Sequence, residues 1–273
     1  MEPKSTMNGH EAHPAPGSYP ISKWYSSRTK RTFDLVGAIC LFVVFLPIMV
    51  LVAIGVKLTS PGPVIFRQRR PGKLGWQFNI LKFRTMVDAR GNPGPAVTRA
   101  RDPRVTRFGR HMRKWKLDEL PQLWNVIVGD MSFVGPRPLP IPHWKEPSIQ
   151  KEAPYVLSVR PGLTSEATVN FRNEEEMLTP ASVAEVERIY MKSIMPVKIK
   201  MDLDYLQRAS FSSDLVIIFK TGLKIFQRDS KQHGGIDTRL PGAEPRRVRD
   251  AGVGEFRPVV EKEDYSGVAE QTD

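Results

Sequence analysis

The sequence predicts a mostly helical α/β domain preceded by an apolar helix that dips into a membrane and turns back. Three observations predict it. The chain carries no charged residue from Leu35 to Val56, and roughly 20 apolar residues match the hydrocarbon thickness of a bilayer. Two β-rich runs, Val64-Ile65-Phe66 and Phe78 to Phe83, flank a segment bounded by Gly72 and Gly75, the pattern of a single hairpin. Later segments carry helical spacing or helix-boundary residues. With 273 residues and 40% hydrophobic content, the chain can hold one domain of ordinary size with tails.

Residues 1–28 read as a disordered tail rich in Pro, Ser, Gly and His. They are no secretion signal, because the apolar run starts late and has no small-residue cleavage site behind it. Residues 29–58 read as the membrane helix. Lys23, Arg28, Lys30 and Arg31 precede the apolar run, and Lys57, Arg67, Arg69, Arg70 and Lys73 follow it. Lys and Arg accumulate on cytoplasmic flanks, so basic residues on both sides predict that both ends lie on the same face. Pro47, near the centre, removes one backbone donor and clashes with the carbonyl of Val43, which supplies a break for a re-entrant helix-break-helix. An ordinary kinked span is the alternative. Residues 59–228 read as the folded domain. Residues 229–273 read as a flexible charged tail whose only aromatics are Phe256 and Tyr265.

Within the domain, Ala89 to Ala96 form a Gly/Pro loop, and a basic helical stretch through Trp115 carries Arg104, Arg107, Arg110, Arg113 and Lys114. Asp118 reads as an N-cap, with a helix over Glu119 to Val128 and Gly129 just beyond its end. Met131 to Pro138 reads as an irregular loop presenting Arg137, and Val159 to Thr164 as a turn. Ala181 to Met191 reads as a helix ending before Pro196. Leu215 to Phe226 reads as a helix that packs on the core or lies in a membrane interface.

The chemistry concentrates at Asp118-Glu119. A formal charge of +12 predicts attraction to polyanions: nucleic acid, anionic lipid or a phosphorylated substrate. Adjacent helical residues do not face each other, so these two carboxylates do not form a glycosidase pair. A nucleophile beside a metal ligand, amid cations, suits phosphate chemistry. Cys40 is the only cysteine, the five histidines lack zinc-ligand spacing, and no Walker loop or GxGxxG is present.

The chain resembles the monotopic phosphoglycosyl transferases, bacterial sugar transferases that act on polyprenyl phosphate. The resemblance runs from about Lys30 to Phe226. It rests on Lys30-Arg31-Thr32-Phe33-Asp34, Pro61 to Gln68, Lys82-Phe83-Arg84-Thr85-Met86, Leu117 to Val126, Gly129 to Pro138 and Arg160-Pro161-Gly162-Leu163-Thr164. It implies a small catalytic domain seated on the cytoplasmic face of a bacterial inner membrane by a re-entrant helix. It also implies transfer of a sugar-1-phosphate from a UDP-sugar to undecaprenyl phosphate, with Mg²⁺ and release of UMP. Under it Asp118 is the covalent nucleophile and Glu119 is associated with the metal. Lys82, Arg84, Arg113 and Arg137 would contact substrate phosphates, and Gln122, Asn125, Thr164 and Arg172 are candidates for contacts with sugar or nucleotide. The implied partners are the UDP-sugar, the polyprenyl phosphate and membrane lipids, without nucleic acid; a homodimer is left open. The chain departs from the family pattern at Leu46, often Ser before the membrane proline, and over Ser165 to Arg172. A diphosphate hydrolase and a non-enzymatic basic membrane-anchored protein are the alternatives.

Overall fold

A computed structural model of the chain describes residues 20–87, 102–147, 149–171 and 187–226. Residues 1–19, the loop Ala89 to Ala96, Arg172, the first six residues of the helix expected from Ala181 (Ala181 to Val186) and the tail 229–273 lie outside the described residues. Helix α1 spans Lys23–Ser26 and α2 spans Arg28–Thr59, each opened by a serine cap: Ser22 accepts from the Trp24 amide, and Ser27 from that of Lys30. Folded structure thus begins inside the stretch read as tail. The reason is tertiary: Tyr25 is buried and its hydroxyl donates to the carbonyl of Arg160 at 2.7 Å, a contact no local pattern announces.

One helix stands where a helix-break-helix was expected, because α2 runs through Pro47 without interruption. Losing one donor does not end a helix of 32 residues. Along α2, buried Asp34, Ala38, Val52 and Val56 and half-buried Phe42, Phe45 and Met49 recur every three or four positions, so one stripe is covered. The rest of the surface is apolar and exposed, including Val43, Val44, Leu51 and Ile54. The helix is long and apolar enough to cross a membrane.

Both ends of α2 are tied to the same domain. At the first, Arg31 donates to the carbonyls of Val126 and Ile127 at 2.6 and 2.8 Å. At the second, Val52 and Val56 pack with Phe83 and Met112, and Arg84 donates to the Ser60 carbonyl at 2.7 Å. Two glycines permit the close approach. A Cβ on Gly37 would stand 2.7 Å from the Phe133 ring, and one on Gly55 2.5 Å from that of Phe108.

Strands β1, Ile65–Pro71, and β2, Gln77–Phe83, form the expected antiparallel hairpin, with Ile65 opposite Phe83. Helix α3 covers Arg107–Lys114, capped by Thr106, and α4 covers Gln122–Val128, ended by Gly129 in a left-handed conformation (φ 97°). The expected helix from Glu119 therefore starts three residues late, after a tight turn over Leu117–Glu119.

Two segments read as loop and turn are strands. β3, Ser132–Val134, pairs parallel with β4, Gly162–Thr164, and Ser132 lies opposite Gly162. Three-residue strands show no alternation, and this pairing joins segments far apart in sequence, so neither is legible locally. Helices α5, Ala153–Val156, and α6, Glu166–Asn170, follow. A wide turn over Tyr190–Ile194 then feeds α7, Met195–Arg208. Pro196 does not end a helix; it sits in the first turn of α7, where its missing donor costs nothing. Helix α8, Phe211–Phe226, buries Ile217 in the core and exposes Phe211, Leu215 and Phe219. Among the described residues the fold is mostly helical, with two small sheets.

A buried charge cluster joins the first helices to the last. Lys30 Nζ lies 2.8 Å from Asp34 and 2.9 Å from Asp214. The Trp24 indole donates to Asp214 at 3.0 Å, the Tyr205 hydroxyl donates to the other oxygen of Asp214, and the Phe133 amide donates to Asp34 at 3.3 Å.

Candidate active site

The site is built by the link between α3 and α4. Lys116, after α3, takes the left-handed conformation (φ 55°, ψ 20°), which costs a residue with a Cβ about 1 kcal/mol. That reversal starts the turn over Leu117–Glu119, held by the Glu119 amide donating to the Lys116 carbonyl at 3.2 Å. The turn carries both carboxylates toward β2. Asp118 is buried, and its Oδ1 has no hydrogen-bond partner among the described residues.

Glu119 sits between two cations. Lys82 Nζ from β2 and Arg137 Nη2 from the loop after β3 each lie 3.0 Å from its Oε1. Burial works against its ionisation, but Lys82, Arg137 and Lys116 outweigh burial and hold it well below the usual carboxylate range. Its neighbour behaves oppositely. Burial and then the Glu119 charge push the Asp118 carboxyl up, against Lys82, Lys116 and Arg113. Burial also lowers Lys82, partly offset by Glu119. The adjacent pair thus divides into a firmly ionised Glu119 and an Asp118 carboxylate that is poorly stabilised in the resting protein. A poorly stabilised, unpartnered carboxylate is suited to attack an electrophile.

The other sequence candidates separate in space. Arg113 acts electrostatically on Asp118, and its Nε donates to Thr85 at 3.2 Å. Gln122 is buried on α4, and its Nε2 has no partner among the described residues. Arg84 is engaged instead with Ser60 at the end of α2. Asn125 latches β2 to α4, accepting from the Leu81 amide at 3.0 Å and donating to the Asn79 carbonyl at 2.9 Å. The Thr164 hydroxyl bonds that of Thr221 on α8 at 2.8 Å. Pro47 is exposed on α2.

Sequence reasoning missed two groups here. Arg70, on β1, donates to the Pro138 carbonyl at 3.0 Å, and burial followed by the Arg137 charge pushes its guanidinium down to about 10. Asp202, on α7, accepts from the Arg137 amide at 3.4 Å, and burial pushes it up to about 7. Neither stands in a pattern that marks it; Arg70 reads as one more strand arginine and Asp202 as a helix-surface acid.

Asp202 yields a pH prediction. Its folded value lies above that of the unfolded chain, so between about pH 4 and 7 the native state keeps a proton the unfolded chain has released, and stability falls as pH rises through that window. Asp202→Asn removes this slope. Its unfolding free energy relative to the parent should rise by about 1–3 kcal/mol between pH 5 and 7.5 in denaturant titrations. Parallel pH profiles for the two proteins would refute it.

Residues 25–228 match the family model for bacterial sugar transferases. A UDP-glucose:undecaprenyl-phosphate glucose-1-phosphate transferase of Caulobacter vibrioides is 38% identical over 213 residues, covering 77% of this chain and 74% of that protein. An Escherichia coli protein of the same description is 37% identical over 200 residues, 72% of this chain and 40% of its own length. A UDP-N-acetylgalactosamine-undecaprenyl-phosphate N-acetylgalactosaminephosphotransferase of Aeromonas hydrophila is 37% identical over 195 residues, 70% of this chain and 42% of its own. The chain therefore spans about three quarters of the first relative and under half of the other two. Because the matched segment takes in the Asp118 turn, both sheets and every described helix from α2 to α8, the chain belongs to the bacterial sugar transferase family.

Proposed function

We propose that this protein moves a sugar-1-phosphate from a UDP-sugar to undecaprenyl phosphate through a covalent Asp118 intermediate. The observation that carries this is the buried, unpartnered Oδ1 of Asp118 beside a Glu119 clamped by Lys82 and Arg137. In the first step an Asp118 oxygen bonds to the sugar-bearing phosphorus, and the bond from that phosphorus to the bridging oxygen breaks, so UMP leaves with the electron pair. Lys82 and Arg137, next to Asp118 on Glu119, would stabilise the charge that develops on the phosphoryl oxygens. In the second step an oxygen of the lipid phosphate attacks the same phosphorus and releases the Asp118 carboxylate, giving the lipid diphosphate sugar. The relatives' descriptions, which specify UDP-sugar donors and undecaprenyl phosphate, support the substrate class.

The donor set suits Mg²⁺, which binds through one or two carboxylates plus substrate phosphates. Both ion pairs of Glu119 fall on Oε1, which leaves Oε2 for the ion. When bound, Mg²⁺ would neutralise charge on the diphosphate.

The protein is further read as seated on the cytoplasmic face of the bacterial inner membrane. A spanning helix separates its ends by about 30 Å of hydrocarbon, whereas both ends of α2 pack on one domain. Trp124 and Val128 on α4 and the apolar face of α8 are exposed, and on this reading they would contact lipid. With Cys40 replaced by serine, cysteines introduced near positions 20 and 240 should react from the same side of sealed vesicles; opposite accessibility would establish a span.

The function is tested by UMP release from a panel of UDP-sugars, with Mg²⁺, with and without undecaprenyl phosphate. Release coupled to lipid-linked sugar for one donor is expected. Release without lipid, with free sugar phosphate as the product, would make the protein a hydrolase.

A further inference from the structure

A basic cavity lies beside the first turns of α2, away from the Asp118 centre. It is open, has a volume of about 130 Å³, and is lined by Arg31, Lys73 and Arg160 with the hydroxyl-bearing Ser26, Ser132 and Ser158. None of Lys82, Asp118, Glu119 and Arg137 contributes to it. Lys30 and Asp34 also reach its wall, but they pair with each other, and Lys30 pairs with Asp214 as well.

The three remaining cations have no carboxylate within ion-pair distance among the described residues. Arg31 donates to the carbonyls of Val126 and Ile127, and Arg160 Nε donates to that of Gly129 at 2.8 Å. Capping the end of α4 is thus one task of both side chains, and it explains their position. It does not explain their charge, since carbonyls satisfy hydrogen bonds without neutralising a cation. Burial and then Arg160 push Arg31 down, only partly offset by Asp34, so two like charges share one wall. The terminal nitrogens of Arg160 make no hydrogen bond among the described residues. Lys73, exposed on the β1–β2 turn, adds a third charge at the rim. Guanidinium forks and serine hydroxyls around an open cavity match an anion with several acceptor oxygens.

We propose that this cavity binds a phosphate group, held by Arg31, Arg160 and Lys73, at a site separate from the Asp118 centre. Arg31 stands four positions before the apolar run begins, so the group belongs either to a lipid headgroup or to a soluble phosphate at the membrane surface. The assignment does not depend on the transfer reaction.

The test is calorimetric titration of the full-length protein in neutral detergent with inorganic phosphate and, separately, with dihexanoyl phosphatidylglycerol. The parent is compared with Lys73→Glu, which alters an exposed side chain, and with Arg137→Gln, which removes a phosphate ligand of the Asp118 centre. One binding event should persist in Arg137→Gln and weaken at least about tenfold in Lys73→Glu, the scale of one charge-assisted contact, while Lys73→Glu keeps its melting temperature and its UMP release within about twofold. Binding of inorganic phosphate identifies a soluble ligand, and binding of phosphatidylglycerol alone identifies a headgroup; either supports the site. No binding by the parent at millimolar concentrations overturns it. So does affinity lost in Arg137→Gln and unchanged in Lys73→Glu, which would place all phosphate binding at the Asp118 centre.

Discussion

Asp118→Asn is expected to lower UMP release by at least about a thousandfold, the scale on which losing a nucleophile is felt, while leaving the fold intact. The amide keeps the shape of the carboxylate but cannot form the acyl phosphate, so no intermediate accumulates and the lipid has nothing to displace. Stability should move the other way. Burial already pushes the Asp118 carboxyl up, which means the folded protein favours a neutral group there, and the asparagine variant should melt at or slightly above the parent temperature near pH 8. Activity of the parent should also fall as pH drops through the raised Asp118 value, because only the ionised form attacks. A variant with more than about 1% of parent activity and the same acid limb would remove Asp118 from the mechanism and move attention to Glu119.

The largest effect on stability is expected from Lys30→Met. Lys30, Asp34 and Asp214 are almost wholly buried, and both carboxylates lie within 3 Å of the lysine nitrogen. Removing the cation leaves two carboxylates facing each other out of water, a change that typically costs about 3–5 kcal/mol and lowers the melting temperature of a domain this size by roughly 6–20 °C. The loss is one of compensation rather than of packing. Combining Lys30→Met with Asp34→Asn and Asp214→Asn should therefore restore most of it, and a triple variant no more stable than the single one would show that the ammonium matters for geometry instead. A single-variant cost under about 1 kcal/mol in urea titrations would mean the cluster is hydrated in solution. Because Trp24 and Tyr205 also donate to Asp214, the single variant should loosen α1, α7 and α8 together, visible as faster amide exchange in all three.

Much of this protein follows from local chemistry that the sequence states outright. The uncharged run from Leu35 to Val56 makes a long apolar helix whatever surrounds it, because no residue in it gains from facing water. The hairpin of β1 and β2 follows from two β-rich runs and a glycine turn, and the end of α4 at Gly129 from the residue best able to adopt φ 97°. The Asp118-Glu119 pair and its arginine and lysine neighbours were visible as residue types, and the family followed from their order. What the sequence left undetermined is who meets whom. Ser132 and Gly162 pair across thirty positions, Pro196 opens a helix rather than closing one, and Tyr25 belongs to the core because Arg160 offers it a carbonyl. Within the site, only the fold places Lys82 and Arg137 on Glu119 while sending Arg84 to Ser60 and Asn125 to β2. Helix and turn formation are decided by neighbours within a few residues. Strand pairing across long separations, burial of a charge and the division of labour between two adjacent carboxylates depend on groups brought together from distant parts of the chain, and these the tertiary structure alone decided.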